Sequence, residues 1–154
     1  MIQLVLARHA KSDWAEDGLD DHDRPLDDRG RRDAPAMART LRRAGVRPTM
    51  LLSSTAVRAR ETAAVFADAF EIDITEQPEL YLAPPDRLLR AARSSGADEV
   101  MVVAHDPGMS ALVSRLADRH ERMVTCAVAV FTWHDATWDA VDAIPPDEFT
   151  LYTP

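Results

Sequence analysis

Apolar and polar residues alternate in blocks along this chain, and the blocks predict strands and helices in turn. Continuous apolar runs at residues 2–7, 49–53 and 99–104 are typical of buried strands. Helix-forming stretches with apolar residues three and four apart predict helices at residues 28–44 and 55–70. The pattern therefore indicates strands that are each followed by a helix.

The rest of the chain extends this alternation. Asp27 or Asp28 can cap the first helix, and Gly45 can end it. Two further helices and four further strands complete the prediction: helices at 85–95 and 109–118, and strands at 72–75, 128–133, 137–143 and 148–152. Alternating strands and helices predict an α/β fold with a mostly parallel sheet, with antiparallel strands added at one edge by the tail. We expect a single domain over residues 1–154.

Composition narrows the class of protein. The 154 residues carry 18 Lys and Arg against 26 Asp and Glu, a formal net charge of -8, which disfavours nucleic acid as a partner. No stretch approaches the ~20 apolar residues that cross a bilayer, so no membrane association is expected. The lone cysteine, Cys126, cannot form an internal disulfide and is expected to be a buried hydrophobe. A cytoplasmic location is expected.

Basic and imidazole side chains follow three of the predicted strands. Arg8 and His9 follow the first strand, Arg58 follows the second near the start of a helix, and His105 and Asp106 follow the strand at 99–104. In open α/β sheets, ligands bind beyond the carboxyl ends of the strands. We therefore expect these side chains to converge on one crevice.

Such a cluster suits phosphoryl transfer. Guanidinium groups present forks of donors that match phosphoryl oxygens, and a neutral imidazole can attack phosphorus. Ser12 can donate to the same phosphoryl group, although a role in a turn is the alternative. A metal site is the alternative interpretation of these residues. Arg8 would repel a cation, however, and the sequence contains no motif of two closely spaced histidines, so no metal or other cofactor is expected.

Four segments, in order, carry a resemblance to a known family. Residues 4–11, which contain Arg8-His9, resemble the signature of the histidine phosphatase superfamily, with Ala10 where Gly is usual. Residues 53–63 are similar to its second block, and residues 102–108 to the block around its second histidine. Residues 23–30 resemble the loop-to-helix segment of the small SixA-like phosphohistidine phosphatases.

The resemblance implies a phosphoglycerate-mutase-like fold, a three-layer α/β/α sandwich that requires no metal. It implies that His9 is the nucleophile and that Arg8, Arg58 and His105 bind the phosphoryl group. The general acid stays open: Glu79 lies in the segment where several branches place one, and Asp106 occupies the position used by acid-phosphatase-like branches. Asp106 can equally cap the helix that follows it.

The expected function is therefore hydrolysis through a covalent phosphohistidine on His9, with a phosphorylated protein as substrate. A small phosphomonoester is the alternative substrate, and a catalytically silent phosphate-binding module is the alternative class. Residues 10–28 are expected to form a long loop. In this loop, Arg24 is expected to form a salt bridge with a nearby Asp, and Trp14 is expected either to pack against the protein or to line the site.

Overall fold

Six strands form one mixed sheet in the computed structural model, which describes all 154 residues. The strands are β1 (Ile2–Arg8), β2 (Met50–Ser53), β3 (Ile74–Glu76), β4 (Glu99–Ala104), β5 (Val128–Trp133) and β6 (Glu148–Tyr152). Their order across the sheet is β3-β2-β4-β1-β5-β6. The pairs among β1 to β4 are parallel, and β5 runs antiparallel to both β1 and β6. This confirms the mostly parallel sheet with antiparallel strands at one edge.

Four helices connect the strands: α1 (Asp28–Arg43), α2 (Val57–Phe70), α3 (Pro85–Arg93) and α4 (Gly108–Ala117). The Asp27 side chain caps α1 by accepting a hydrogen bond of 2.8 Å from the Gly30 amide. Gly45 follows α1 with a φ of 82°, a conformation that glycine adopts without strain. None of these helices has the length and hydropathy that crossing a bilayer requires.

The helices cover both faces of the sheet, because side chains of a strand point alternately to its two sides. In β1, Leu4 and Leu6 belong to the core formed with α3 and α4, whereas Val5 and Ala7 belong to the core formed with α1 and α2. Helix α1 packs on α2, and α3 packs on α4. The result is the predicted three-layer α/β/α sandwich.

One predicted strand is wrong. Residues 137–143 contain a short 3₁₀ turn, Trp138–Ala140, and no strand. β5 already has β1 on one side and β6 on the other, so neither side of β5 is left for a further strand. Trp138 and Val141, three residues apart, instead pack on the core beside α3 and α4, and the Trp138 indole donates to the Ala97 carbonyl at 2.8 Å.

The long loop after β1 is closed by its own backbone hydrogen bonds. Asp13 N–H donates to the Pro25 carbonyl at 2.8 Å, and Asp27 N–H donates to the Lys11 carbonyl at 3.0 Å. A 3₁₀ turn, Asp21–Asp23, lies between these contacts. The loop therefore folds back on itself beside the end of β1.

Candidate active site

The carboxyl ends of three neighbouring parallel strands bring the predicted residues together. β4 lies between β1 and β2. The backbone just beyond the strands is still hydrogen-bonded: His9 N–H donates to Ala104 O at 3.1 Å, and Ser54 N–H donates to Val103 O at 3.0 Å. A cavity of about 490 Å³ opens there. Its lining includes every predicted site residue except Glu79: Arg8, His9, Ser12, Arg58, His105 and Asp106.

The His9 imidazole is held in one tautomer. Its Nδ1 lies 2.7 Å from the Ala10 carbonyl oxygen, and because a carbonyl only accepts, Nδ1 must carry the proton. The lone pair is therefore on Nε2. Burial lowers the pKa of His9 to about 4, with the nearby charges of Arg58 and Arg8 adding to the effect and the bond to Ala10 opposing it. The ring is a neutral base at physiological pH.

His105 lies beside this ring, with a centroid separation of 5.1 Å. Its Nε2 is 2.8 Å from Ser54 Oγ, and the side chain is 1% exposed. Burial lowers the pKa of His105 to about 3, and the charge of Arg58 acts in the same direction. The buried Nδ1 has no hydrogen-bond partner within the protein.

Two guanidinium groups complete the cluster. Arg58 stands in the first turn of α2 and is 3% exposed, and Arg8 ends β1 with its Nη1 donating to the Met123 carbonyl at 2.9 Å. The Nε atom of each is buried and has no partner within the protein. Together with Nδ1 of His105, these are the only buried side-chain polar atoms without a hydrogen bond. Buried donors of this kind are rare, and they occur here around one cavity.

Asp21 connects the long loop to this cluster. Its backbone oxygen accepts from Arg58 Nη1 at 2.6 Å, and its Oδ2 accepts from Arg58 Nη2 at 2.9 Å. The same carboxylate accepts from Arg24 and from the Tyr81 hydroxyl. Burial opposes its ionisation, but the hydrogen bonds from Tyr81, Arg24 and Arg58 hold the pKa of Asp21 well below its ordinary value.

Asp21 and Tyr81 are not among the residues that the sequence predicts for the site. The predicted salt bridge of Arg24 with a nearby Asp is confirmed: the partner is Asp21, 3.0 Å from Arg24 Nη2. The contacts of Asp21 with Arg58 and Tyr81 join residues 37 and 60 positions apart. No local pattern carries that information.

Arg24 also organises the wall of the cavity near Ser12. Its Nη1 donates to Ser12 Oγ at 2.7 Å, and its guanidinium carbon lies 3.4 Å from the centre of the Trp14 ring. Ser12 is buried and forms a β-bridge with Leu26. The structure therefore pairs the Ser12 backbone with Leu26 and also places Ser12 on the cavity lining.

The two candidate general acids lie in different environments. Both Asp106 oxygens accept hydrogen bonds from Ser110, at 2.8 Å from its amide and 2.7 Å from its hydroxyl, and Oδ2 is 3.6 Å from Arg8 Nη1. These contacts are those of a helix-capping carboxylate, although Asp106 also lines the cavity. Glu79 is exposed and lines a separate groove with Arg87 and Arg90.

Helix α2 is hydrogen-bonded to the backbone just after His9 and to the far end of the long loop. The Thr62 hydroxyl accepts from the Ala10 amide at 3.0 Å and donates to the Arg58 carbonyl at 2.8 Å. Glu61 accepts from the Leu26 amide at 2.9 Å. Ala10 has no positive φ, so the residue at the usual glycine position lies in an ordinary backbone region.

The cavity is strongly cationic, although the chain as a whole is acidic. Asp106 is the one carboxylate on its lining. The cationic side chains there are Arg8, Lys11, Arg24, Arg29, Arg58 and Arg122. Such a lining favours a multiply charged anion. Nowhere does the structure group three His, Cys, Asp or Glu side chains as a metal ion would need.

Comparisons with known proteins agree with this geometry. A sequence model of the histidine phosphatase superfamily (branch 1) matches residues 4–81. An uncharacterised chloroplastic protein of Arabidopsis thaliana is 30% identical over 155 residues, which cover 92% of this chain and 71% of that protein.

Two solved structures are also similar, and both belong to proteins assigned as the phosphohistidine phosphatase SixA. The one from Agrobacterium tumefaciens has a TM-score of 0.80 and 32% identity, and the match covers 86% of this chain and 92% of that one. The one from Nakamurella multipartitia has a TM-score of 0.81 and 27% identity, with 99% and 96% covered.

Proposed function

The chain belongs to the histidine phosphatase superfamily, and from that premise we propose that it is a phosphohistidine phosphatase of the SixA kind. Its substrate is a phosphorylated protein of the cytoplasm, and residues 1–154 act as one domain. The similarity to two proteins assigned as SixA supports the substrate class. The free Nε2 of a neutral His9, beside buried donors that have no partner, is the observation that carries the chemistry.

In the first step, Nε2 of His9 attacks phosphorus and forms an N–P bond, while the bond from phosphorus to the substrate nitrogen breaks. The neutral ring has its lone pair on this atom, because Nδ1 is bonded to the Ala10 carbonyl. Arg8 and Arg58 line the cavity, and their positive charges stabilise the phosphoryl oxygens in the transition state. His105 donates from Nδ1, with its Nε2 accepting from the Ser54 hydroxyl.

In the second step, water attacks phosphorus of phospho-His9. A P–O bond forms, the N–P bond breaks, and inorganic phosphate leaves with His9 restored to its neutral form. The same guanidinium groups stabilise this transition state, because the phosphoryl oxygens keep their positions in both steps.

A phosphoramidate substrate also fits the contacts of Asp106. An alkoxide leaving group needs a proton donor, whereas the imidazole of phosphohistidine can leave already protonated on its other nitrogen. Both Asp106 oxygens accept from Ser110, one from its amide and one from its hydroxyl, and Oδ2 faces Arg8 Nη1. We therefore assign Asp106 to capping α4 and orienting Arg8. Under this assignment, Asp106→Asn stays within about threefold on phosphohistidine, against the ~10²–10⁴-fold loss expected for a general acid.

The test of the reaction is to trap the intermediate. Wild-type protein is mixed with a protein phosphorylated on histidine by phosphoramidate, then quenched in alkali, and the modified residue is mapped. We expect an acid-labile, base-stable phosphate on His9 and release of inorganic phosphate. His9→Ala should lose at least about 10³-fold in turnover. His134→Ala is the matched control, because His134 is exposed and distant from the cavity lining. Full turnover by His9→Ala would overturn the proposal.

A further inference from the structure

Exposed apolar side chains are concentrated at the mouth of the candidate active site. Trp14 is 69% exposed, Leu82 53% and Val124 37%, and all three line the cavity. The other large hydrophobic side chains exposed on this protein are Met1, at the terminus, and Ile144, which lines a different groove. We call Trp14, Leu82 and Val124 the apolar rim.

The rim side chains are held in place by other features of the fold. The Trp14 ring stacks on the Arg24 guanidinium, which is itself bonded to Asp21. Leu82 has a φ of 51°, a backbone conformation that is unfavourable for a leucine and needs support from the surrounding structure. The Trp14 ring is therefore held by the Arg24 guanidinium at a position exposed to solvent.

Cations that lie outside the phosphoryl cluster share the lining with this rim. Arg122 is exposed and forms no ion pair, and Lys11 donates only to the Ser12 carbonyl. Arg29 is paired with Asp33 at 3.4 Å and is 57% exposed. A single phosphoryl group is already matched by Arg8 and Arg58, so these outer cations suit further negative charge on the substrate.

We propose that the apolar rim, with Lys11, Arg29 and Arg122, is a docking surface for an acidic segment of the phosphorylated protein. The inference rests on the proposed function and specifies its substrate: acidic residues flank the phosphohistidine. His9 and His105 are 6% and 1% exposed whereas the rim is largely exposed, so the phosphohistidine enters the cavity and the flanking chain covers the rim. A small metabolite leaves the rim in water, and a protein segment desolvates it.

The test compares two phosphohistidine peptides of one length that differ only in their flanks, one acidic and one basic, alongside an aryl phosphate. Wild type should favour the acidic peptide by at least about tenfold in kcat/KM, and this preference should shrink with added salt. Arg122→Glu should abolish the preference. Leu82→Asn should lower kcat/KM about threefold to tenfold for both peptides. Asn is chosen because it tolerates the positive φ at this position.

Relative to its rate on the aryl phosphate, Arg122→Glu should lose kcat/KM on the acidic peptide and Leu82→Asn on both peptides, and this ratio separates docking from folding and chemistry. Arg39→Glu and Ile144→Asn are the matched controls, because both positions are exposed and outside the cavity. Equal use of the two peptides by wild type would overturn the docking surface and leave the phosphatase assignment standing. Turnover of the aryl phosphate with neither peptide used would overturn the docking surface and the phosphohistidine substrate together.

Discussion

Mild acid should destabilise this protein, because two imidazoles are buried in their neutral form. The pKa of His9 is lowered to about 4 and that of His105 to about 3, mainly by burial, from a value of 6.5 in the unfolded chain. Between pH 6.5 and pH 4 the unfolded chain therefore binds two protons that the folded protein does not. The free energy of unfolding must fall as the pH falls through this range.

The magnitude follows from linkage. Lowering the pH from 7 to 5 costs about 2 kcal/mol for each histidine, or about 4 kcal/mol for the pair. Asp21 acts in the same direction only at lower pH: its lowered pKa contributes stability above the unfolded value of 3.8, and this is lost as the pH falls further. Of these three groups, the two histidines therefore account for the change in the free energy of unfolding between pH 5 and pH 7.

Urea unfolding followed by tryptophan fluorescence at several pH values measures this effect. His9→Gln and His105→Gln cannot take up a proton, so each should remove about half of the loss between pH 7 and pH 5. The double variant should remove about 4 kcal/mol of it. The control is His134→Gln, because that imidazole is 59% exposed. A double variant with the wild-type dependence would refute the reasoning.

Three further outcomes are expected. After correction for the second ionisation of the aryl phosphate, kcat/KM should keep its neutral-pH value well below pH 6.5, because His9 stays neutral down to its lowered pKa of about 4; a midpoint near pH 6.5 in the corrected profile would contradict this. Asp21→Asn should lower kcat/KM about 10–100-fold by releasing Arg58, with Asp23→Asn on the same turn as the control; a rise in activity would mean that Asp21 competes with substrate. Gly30→Ala should lower the free energy of unfolding in urea by about 1–3 kcal/mol, because a Cβ there collides with the Lys11 carbonyl; an unchanged value would show that the loop yields.

The amino-acid sequence by itself determined the main elements and their order. The apolar runs that became β1, β2 and β4 and the capping residue Asp27 act over a few neighbouring positions, so they can be read locally. Because the carboxyl ends of parallel strands lie side by side, the local pattern also predicted that His9, Arg58 and His105 would lie close together. The family resemblance supplied their roles, which the trapping experiment tests.

Only the tertiary structure decided how those side chains are held. The contact of Asp21 with Arg58 and that of His105 with Ser54 depend on atoms that folding brings together. The 137–143 segment shows the same limit: it was predicted to be a strand, but β1 and β6 occupy the two sides of β5 and the segment forms a 3₁₀ turn. Local sequence determines what each segment can form. Which of these structures it forms depends on the strands and helices that residues distant in the sequence place beside it.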